Sequence, residues 1–211
     1  MTKNLLQRRA WIAGLTLAAM AWSLPAAASE APDALVKRIS TEVLDTIKTD
    51  PAIRAGDMNK IMALVDSKIM PNVNFTRMTA SAVGRGWRQA TPEQQKQLET
   101  EFKALLVRTY SGALGEVRDQ TLSFKPMRMR PEDTEVVVRS EVRGKGEPIQ
   151  LDYRLEKVGD GWKIYDLNVL GLWLVETYRN QFAQEINANG IDGLIKSLSQ
   201  RNKASATAKT S

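Results

Sequence analysis

The stretch "PIQLDYRLEKVGDGWKIYDLNVLGL", Pro148–Leu172, decides the fold. In its first half Ile149, Leu151, Tyr153 and Leu155 alternate with Gln150, Asp152, Arg154 and Glu156. Side chains of a strand point alternately to opposite faces, so this pattern predicts a strand with one covered and one wet face. "VGDGW" supplies a hairpin turn, and "GWKIYDLNVL" returns as a further strand. Upstream, "TLSFKPMRM" and "TEVVVRSEVRG" read as two more, with "RGKGEP" as the turn into Pro148. The expectation is a four-stranded antiparallel meander.

Outside this block the apolar period changes from 2 to 3.6. Leu35, Val36, Ile39, Val43 and Ile47 form one helical stripe, closed by Asp50-Pro51. Met58, Ile61, Met62, Val65 and Ile69 form a second stripe, ending at Met70-Pro71, and "NFTRMTASAV" reads as a third helix that stops at Gly84. The longest helix starts at Thr91, with Pro92 in the first helical position and Gln94 placed to complete a capping box. After Gly171 the helical period returns through Leu174, Tyr178, Phe182 and Ile186. Asn189-Gly190 breaks it, and Ile191, Leu194, Ile195 and Leu198 form a short last helix. Helices in a block, a meander, then helices again predict an α+β domain with its helices on one sheet face.

Both ends read differently. Lys3, Arg8 and Arg9 precede the apolar run "AWIAGLTLAAMAWSL" and the small residues up to Ala28, the layout of a cleaved export signal over residues 1–28. A single domain is expected over residues 29–200, and "RNKASATAKTS", residues 201–211, as a disordered tail. The chain of 211 residues carries +6, which removal of Lys3, Arg8 and Arg9 lowers to +3, too weak to argue for nucleic acid. With no cysteine there is no disulfide, no thiol chemistry and no lipid-anchoring residue at the cleavage point. With no histidine the usual general base and the common zinc ligands are missing too, so neither a metal nor a cofactor is expected.

"GRGWRQATPEQQ", Gly84–Gln95, tests for a phosphate grip. It lacks the Gly-x-Gly-x-x-Gly spacing and follows no strand, so its glycines are read as permitting a close approach between helices. Catalysis would have to use carboxylates, lysine or tyrosine, and Tyr165-Asp166 is the one pairing worth testing.

Three segments carry a resemblance: "GRGWRQATPEQQKQLETEFKALLVRTYSGAL", "LDYRLEK…GWKIYDLNVLGL" and "NGIDGLIKSLSQ". In order, length and spacing, Leu35 to Gln200 resembles the MlaC family of periplasmic phospholipid carriers, first labelled toluene-tolerance proteins. The resemblance implies a nuclear transport factor 2-like fold, with a curved sheet, helices on its concave face and an apolar cavity for acyl tails between them. It implies a periplasmic, non-enzymatic shuttle that holds phospholipid as cargo and keeps the outer membrane asymmetric. Its partners would be an outer-membrane lipoprotein complex and an inner-membrane ABC transporter with its substrate-binding membrane component. Inward-facing positions then become the expected tail pocket: Trp87, Leu106, Tyr110, Val138, Leu151, Tyr153, Leu174 and Tyr178. At about 0.8 kcal/mol per methylene, two tails of about fourteen methylenes would cost about 20 kcal/mol to expose, so free diffusion is negligible. Two rival readings are an enzyme of the ketosteroid-isomerase kind using Asp166 and Tyr165, and an envelope adaptor with a filled core.

Overall fold

The computed structural model describes residues 30–117 and 119–207. The expected export signal lies outside the described residues. Helix α1, Pro32–Thr49, has proline in its first turn and ends at Asp50, whose carboxylate accepts the Ala52 and Ile53 amides and so caps the short α2, Pro51–Arg54. Asp57 caps α3, Met58–Leu64, in the same way. The second apolar stripe continues as a π turn, Val65–Ile69, and a 3-10 turn, Met70–Asn72. Asn74 caps α4, Phe75–Val83, which stops where Gly84 takes a positive φ of 66°. A 3-10 turn, Gly84–Arg88, leads to α5, Pro92–Leu114, where the Thr91–Gln94 capping box is formed as the residues predict.

The sheet has five strands, not four: β1, Thr121–Phe124; β2, Glu135–Arg143; β3, Ile149–Val158; β4, Gly161–Val169; and β5, Leu172–Trp173. They form an open antiparallel meander in chain order. The fifth strand is two residues long, too short to show a period. Leu170 and Gly171, with φ of 54° and 88°, turn the chain back so that Val169 pairs Leu172 and Asn168 pairs Trp173. β1 is shorter than its apolar pattern implied, because its last rung is the Lys125 amide on the Arg139 carbonyl and Pro126 has no N–H to offer the next.

One irregularity sets the two faces of β4. Arg154 pairs Asp166 but Leu155 pairs Ile164, so Tyr165 is an extra residue. The inward set on this strand is therefore Trp162, Ile164, Leu167 and Val169, while Tyr165 and Asp166 both leave by the outer face. That face is not uniformly wet as the alternation implied: Asp152, Asp166 and Asn168 are buried. Gln150 and the Ser140 amide satisfy Asp152, and the start of α6 closes over Asp166.

The last helix, α6, runs from Leu174 to Thr207 with a break at Gly190, whose φ is 70°. The expected disordered tail is thus helical as far as residue 207. Asn202 is buried there, donating to the Glu101 carbonyl at 3.0 Å and to the Glu101 carboxylate at 2.6 Å, which gives the segment something to hold.

Burial is partitioned into three clusters. α1 covers β1 and β2, burying Leu35, Val36 and Ile39 on Val138, Tyr153, Leu155 and Ile164. α4, α5 and both halves of α6 bury Met78, Leu98, Leu174, Leu194 and an aromatic set in which Phe102 meets Tyr178 and Phe182 edge to face at 5.1 and 5.2 Å. The third joins Ile47, Ile53, Ile61, Leu64 and Val107. Gly86 is buried under α6: a Cβ there would sit 2.9 Å from Ile186 Cδ1, the close approach its sequence context predicted.

Candidate functional site

Apolar side chains that stop short of full burial occur both on α5 and on the sheet. α5 packs on α3, α4 and α6, whereas the sheet is covered by α1, α4 and α6. On the helical wall Leu106 and Tyr110, one turn apart, are half-buried beside the aromatic cluster, as are Leu105 and Trp87. On the sheet the half-buried apolar residues include Phe124, Val136, Leu151, Leu167 and Val169. Leu167 touches both the aromatic cluster and the α1 cluster, so it marks the seam between helical block and sheet.

The eight expected pocket residues divide accordingly. Leu106, Tyr110 and Trp87 attach to the aromatic cluster and Leu151 to the α1 cluster, each half-buried. Leu174 and Tyr178 are fully packed in the first cluster, and Val138 and Tyr153 in the second. The Tyr153 hydroxyl lies 3.1 Å from Ser40 Oγ of α1, and burial pushes its phenol up. Tyr110 and Tyr178 are near neighbours, and burial pushes both phenols up. The setting is apolar with phenol tips.

Leu105, Leu167 and Val169 escaped the sequence reading as wall residues. The signal was present for two of them: the apolar step from Ile164 to Leu167 is three rather than two, which is what an inserted residue produces.

The Tyr165–Asp166 pair sits elsewhere, on the outer face. Tyr165 lies under the Arg77 guanidinium, 3.6 Å from its ring centre, and donates to Glu135 at 3.2 Å. Asp166 receives Arg154 Nη1 at 3.0 Å and the amides of Leu167 and Val175 at 2.9 and 3.1 Å. Arg154 in turn stacks 3.8 Å over Trp173. Both residues are committed to holding β4 against its neighbours, and neither faces α5. Among the described residues no group of three or more carboxylates is placed to hold a metal, and no helix is long and apolar enough to cross a membrane.

An open antiparallel meander with helices packed against it defines an α+β protein. The chain belongs to the MlaC protein family, whose model matches residues 37–200, nearly the span read from sequence. It is similar to the three-dimensional structure of a phospholipid-binding protein from Ralstonia solanacearum in complex with a phospholipid: 53% identity, TM-score 0.80, 82% of this chain and 98% of that one. It is 26% identical over 180 residues to the toluene tolerance protein ttg2D of Pseudomonas putida, covering 85% of this chain and 84% of that protein. It is 23% identical over 203 residues to the intermembrane phospholipid transport system binding protein MlaC of Haemophilus influenzae, covering 93% and 95%.

Proposed function

We propose that this protein is a periplasmic phospholipid carrier and not an enzyme. One observation carries the reading: the structure of a protein 53% identical to this one, matched over 98% of its own length, is a complex with a phospholipid. The half-buried apolar walls support it from within. Acyl tails enter between α5 and the inner sheet face, against Leu106, Tyr110, Leu151 and Trp87, with Val138, Tyr153, Leu174 and Tyr178 as the packed layer behind. On this reading the layers part there, as in a nuclear transport factor 2-like fold with its helices on the concave side.

The physics asks for little more. A carrier must hide hydrocarbon, at about 0.8 kcal/mol per methylene, and can leave the charged headgroup in water, where nothing is lost to desolvation. Handover then occurs by contact with an outer-membrane lipoprotein complex and an inner-membrane ABC transporter. Residues 1–28 serve as the export signal. The rival enzyme is disfavoured because Asp166 and Tyr165 are both engaged on the outer face.

Organic extraction of the purified protein followed by mass spectrometry tests the reading. Diacyl phospholipid at about one or two molecules per chain is the expected result. A lipid-free extract from natively prepared protein that also fails to take up phospholipid from vesicles would overturn it.

A further inference from the structure

We propose that the free edge of β1 and the facing side of α1 form a docking groove for an extended acidic segment of a partner protein, which adds to the sheet as a sixth strand. The groove has a volume of about 890 Å³. One wall is the unbroken run Gln120–Met127; the other is Ala34, Lys37, Thr41, Leu44 and Lys48 of α1. Those five recur at alternating three- and four-residue steps, so they form a single helix stripe along the strand. It is distinct from the stripe of Leu35, Val36, Ile39 and Ile47 that α1 buries.

The backbone of β1 states what fits. The Lys125 amide bonds to the Arg139 carbonyl at 2.9 Å, so Lys125 and Arg139 form a hydrogen-bonded pair. In an antiparallel ladder such pairs alternate, which makes Ser123 and Thr121 the other residues bonded to β2. Leu122 and Phe124 therefore direct their N–H and C=O groups away from the sheet and along the groove. These two donors and two acceptors have the spacing of one more strand. Each end of this row is closed: Lys48 Nζ donates to the Gln120 carbonyl at 2.7 Å, and Pro126 has no N–H. Exposed edges are ordinarily blunted along their length. Here only the ends are, and the open centre has side-chain walls, the arrangement used for strand addition in peptide recognition.

Charge selects the occupant. Lys37, Lys48 and Lys125 line the groove against one acid, Asp33. Lys125 also pairs with Glu141 at 2.8 Å, and Lys37 makes no ion pair among the described residues. A second copy of this chain, joined edge to edge, would set these lysines against one another; an acidic strand complements them. Leu44, Leu122 and Phe124 offer apolar contact to the alternate side chains of that strand.

The test is an amide NMR titration of the full chain with a pooled library of eight-residue peptides, glutamate at alternate positions and varied apolar residues between. Saturable binding that shifts the Leu122 and Phe124 amides is expected, with no such shift from the lysine counterpart library. Leu122→Pro removes an outward N–H together with the leucine's apolar contact and should weaken the best binder about tenfold. Lys37→Glu, at an exposed position, should weaken it about threefold. The proposal is overturned if no library member binds the wild type, if both variants bind as the wild type does, or if anionic phospholipid vesicles rather than peptides shift these two amides.

Discussion

The Asp166 carboxylate accepts a hydrogen bond from the Val175 amide at 3.1 Å, so a strand side chain caps the first turn of α6. Trp173, the residue before that helix, has no oxygen to do it. The same oxygen takes the Leu167 amide at 2.9 Å, and the other holds Arg154. One buried group thus ties the bulge in β4 to the helix that crosses from sheet to helical block. Asp166→Ala leaves two amides and a guanidinium without their acceptor, and should cost about 2–4 kcal/mol in urea unfolding. Asp166→Asn keeps an acceptor for the amides and should cost less than half of that.

The same residue fixes a pH dependence. Burial pushes the Asp166 carboxyl above its ordinary 3.8, against the pull of the Val175 and Leu167 amides and of Arg154. The folded state therefore keeps this proton to a higher pH than the unfolded chain. Its contribution to stability is full below 3.8 and is lost as pH rises through the raised folded value. Glu135 works in the opposite sense: its hydrogen bond to Arg77 holds its carboxyl below 4.5, so its contribution is present above 4.5 and lost as pH falls through the lowered value. Unfolding curves of wild type and Asp166→Asn between about pH 3 and pH 6 should diverge in the variant's favour as pH rises. Parallel curves would mean that Asp166 ionises in the fold as it does in water.

Gly86 makes a prediction about coupling. Its added Cβ would meet the tip of Ile186 at 2.9 Å, a flexible atom that can retreat at a cost. Gly86→Ala alone should destabilise by about 1–2 kcal/mol. In an Ile186→Ala background the same change should cost less than half as much, because the obstructing tip is gone. Equal costs in both backgrounds would place the strain in the backbone of the Gly84–Arg88 turn instead.

Much of this architecture was legible because several helices announce their own ends. Asp50-Pro51, Thr91-Pro92 with Gln94, and Gly84 are local signals, and the structure uses all three as caps or stops. What escaped was set by distance. β5 is two residues in a hairpin whose tip holds Leu170 at a φ of 54°, and no residue type there announces a turn before Gly171. The burial of Asp166 depends on the α6 residue Val175, nine positions later, and that of Asn202 on Glu101, 101 positions away. For the interior, inward alternation identified the right strand faces. Alternation alone does not say which of those residues are packed solid, as Val138 and Leu174 are, and which stay half-buried, as Leu106 and Leu151 are.

The C-terminal segment separates two readings of residues 201–207. Asn202 is buried and donates twice to Glu101, so ending the chain after Gln200 removes two hydrogen bonds, one of them to a carboxylate. The truncated protein should unfold about 1–3 kcal/mol more easily. Asn202→Ala should reproduce most of that loss. A truncation without effect would show that this turn of α6 contributes nothing to the fold.

The tail pocket is tested by contrasting two residues of the same interior. Leu106 is half-buried on α5, so an arginine there can keep its charge toward open space while crossing the path of an acyl chain. Leu106→Arg should abolish co-purifying phospholipid, read by extraction and mass spectrometry, and leave the helical circular dichroism largely intact. Tyr178 is packed edge to face on Phe102 at 5.1 Å and fully enclosed. Tyr178→Ala should cost about 3–5 kcal/mol of stability, and lipid should fall only as far as the folded fraction does. A lipid load unchanged by Leu106→Arg removes that residue from the pocket, and an unfolded Leu106→Arg would place it in the packed core with Tyr178.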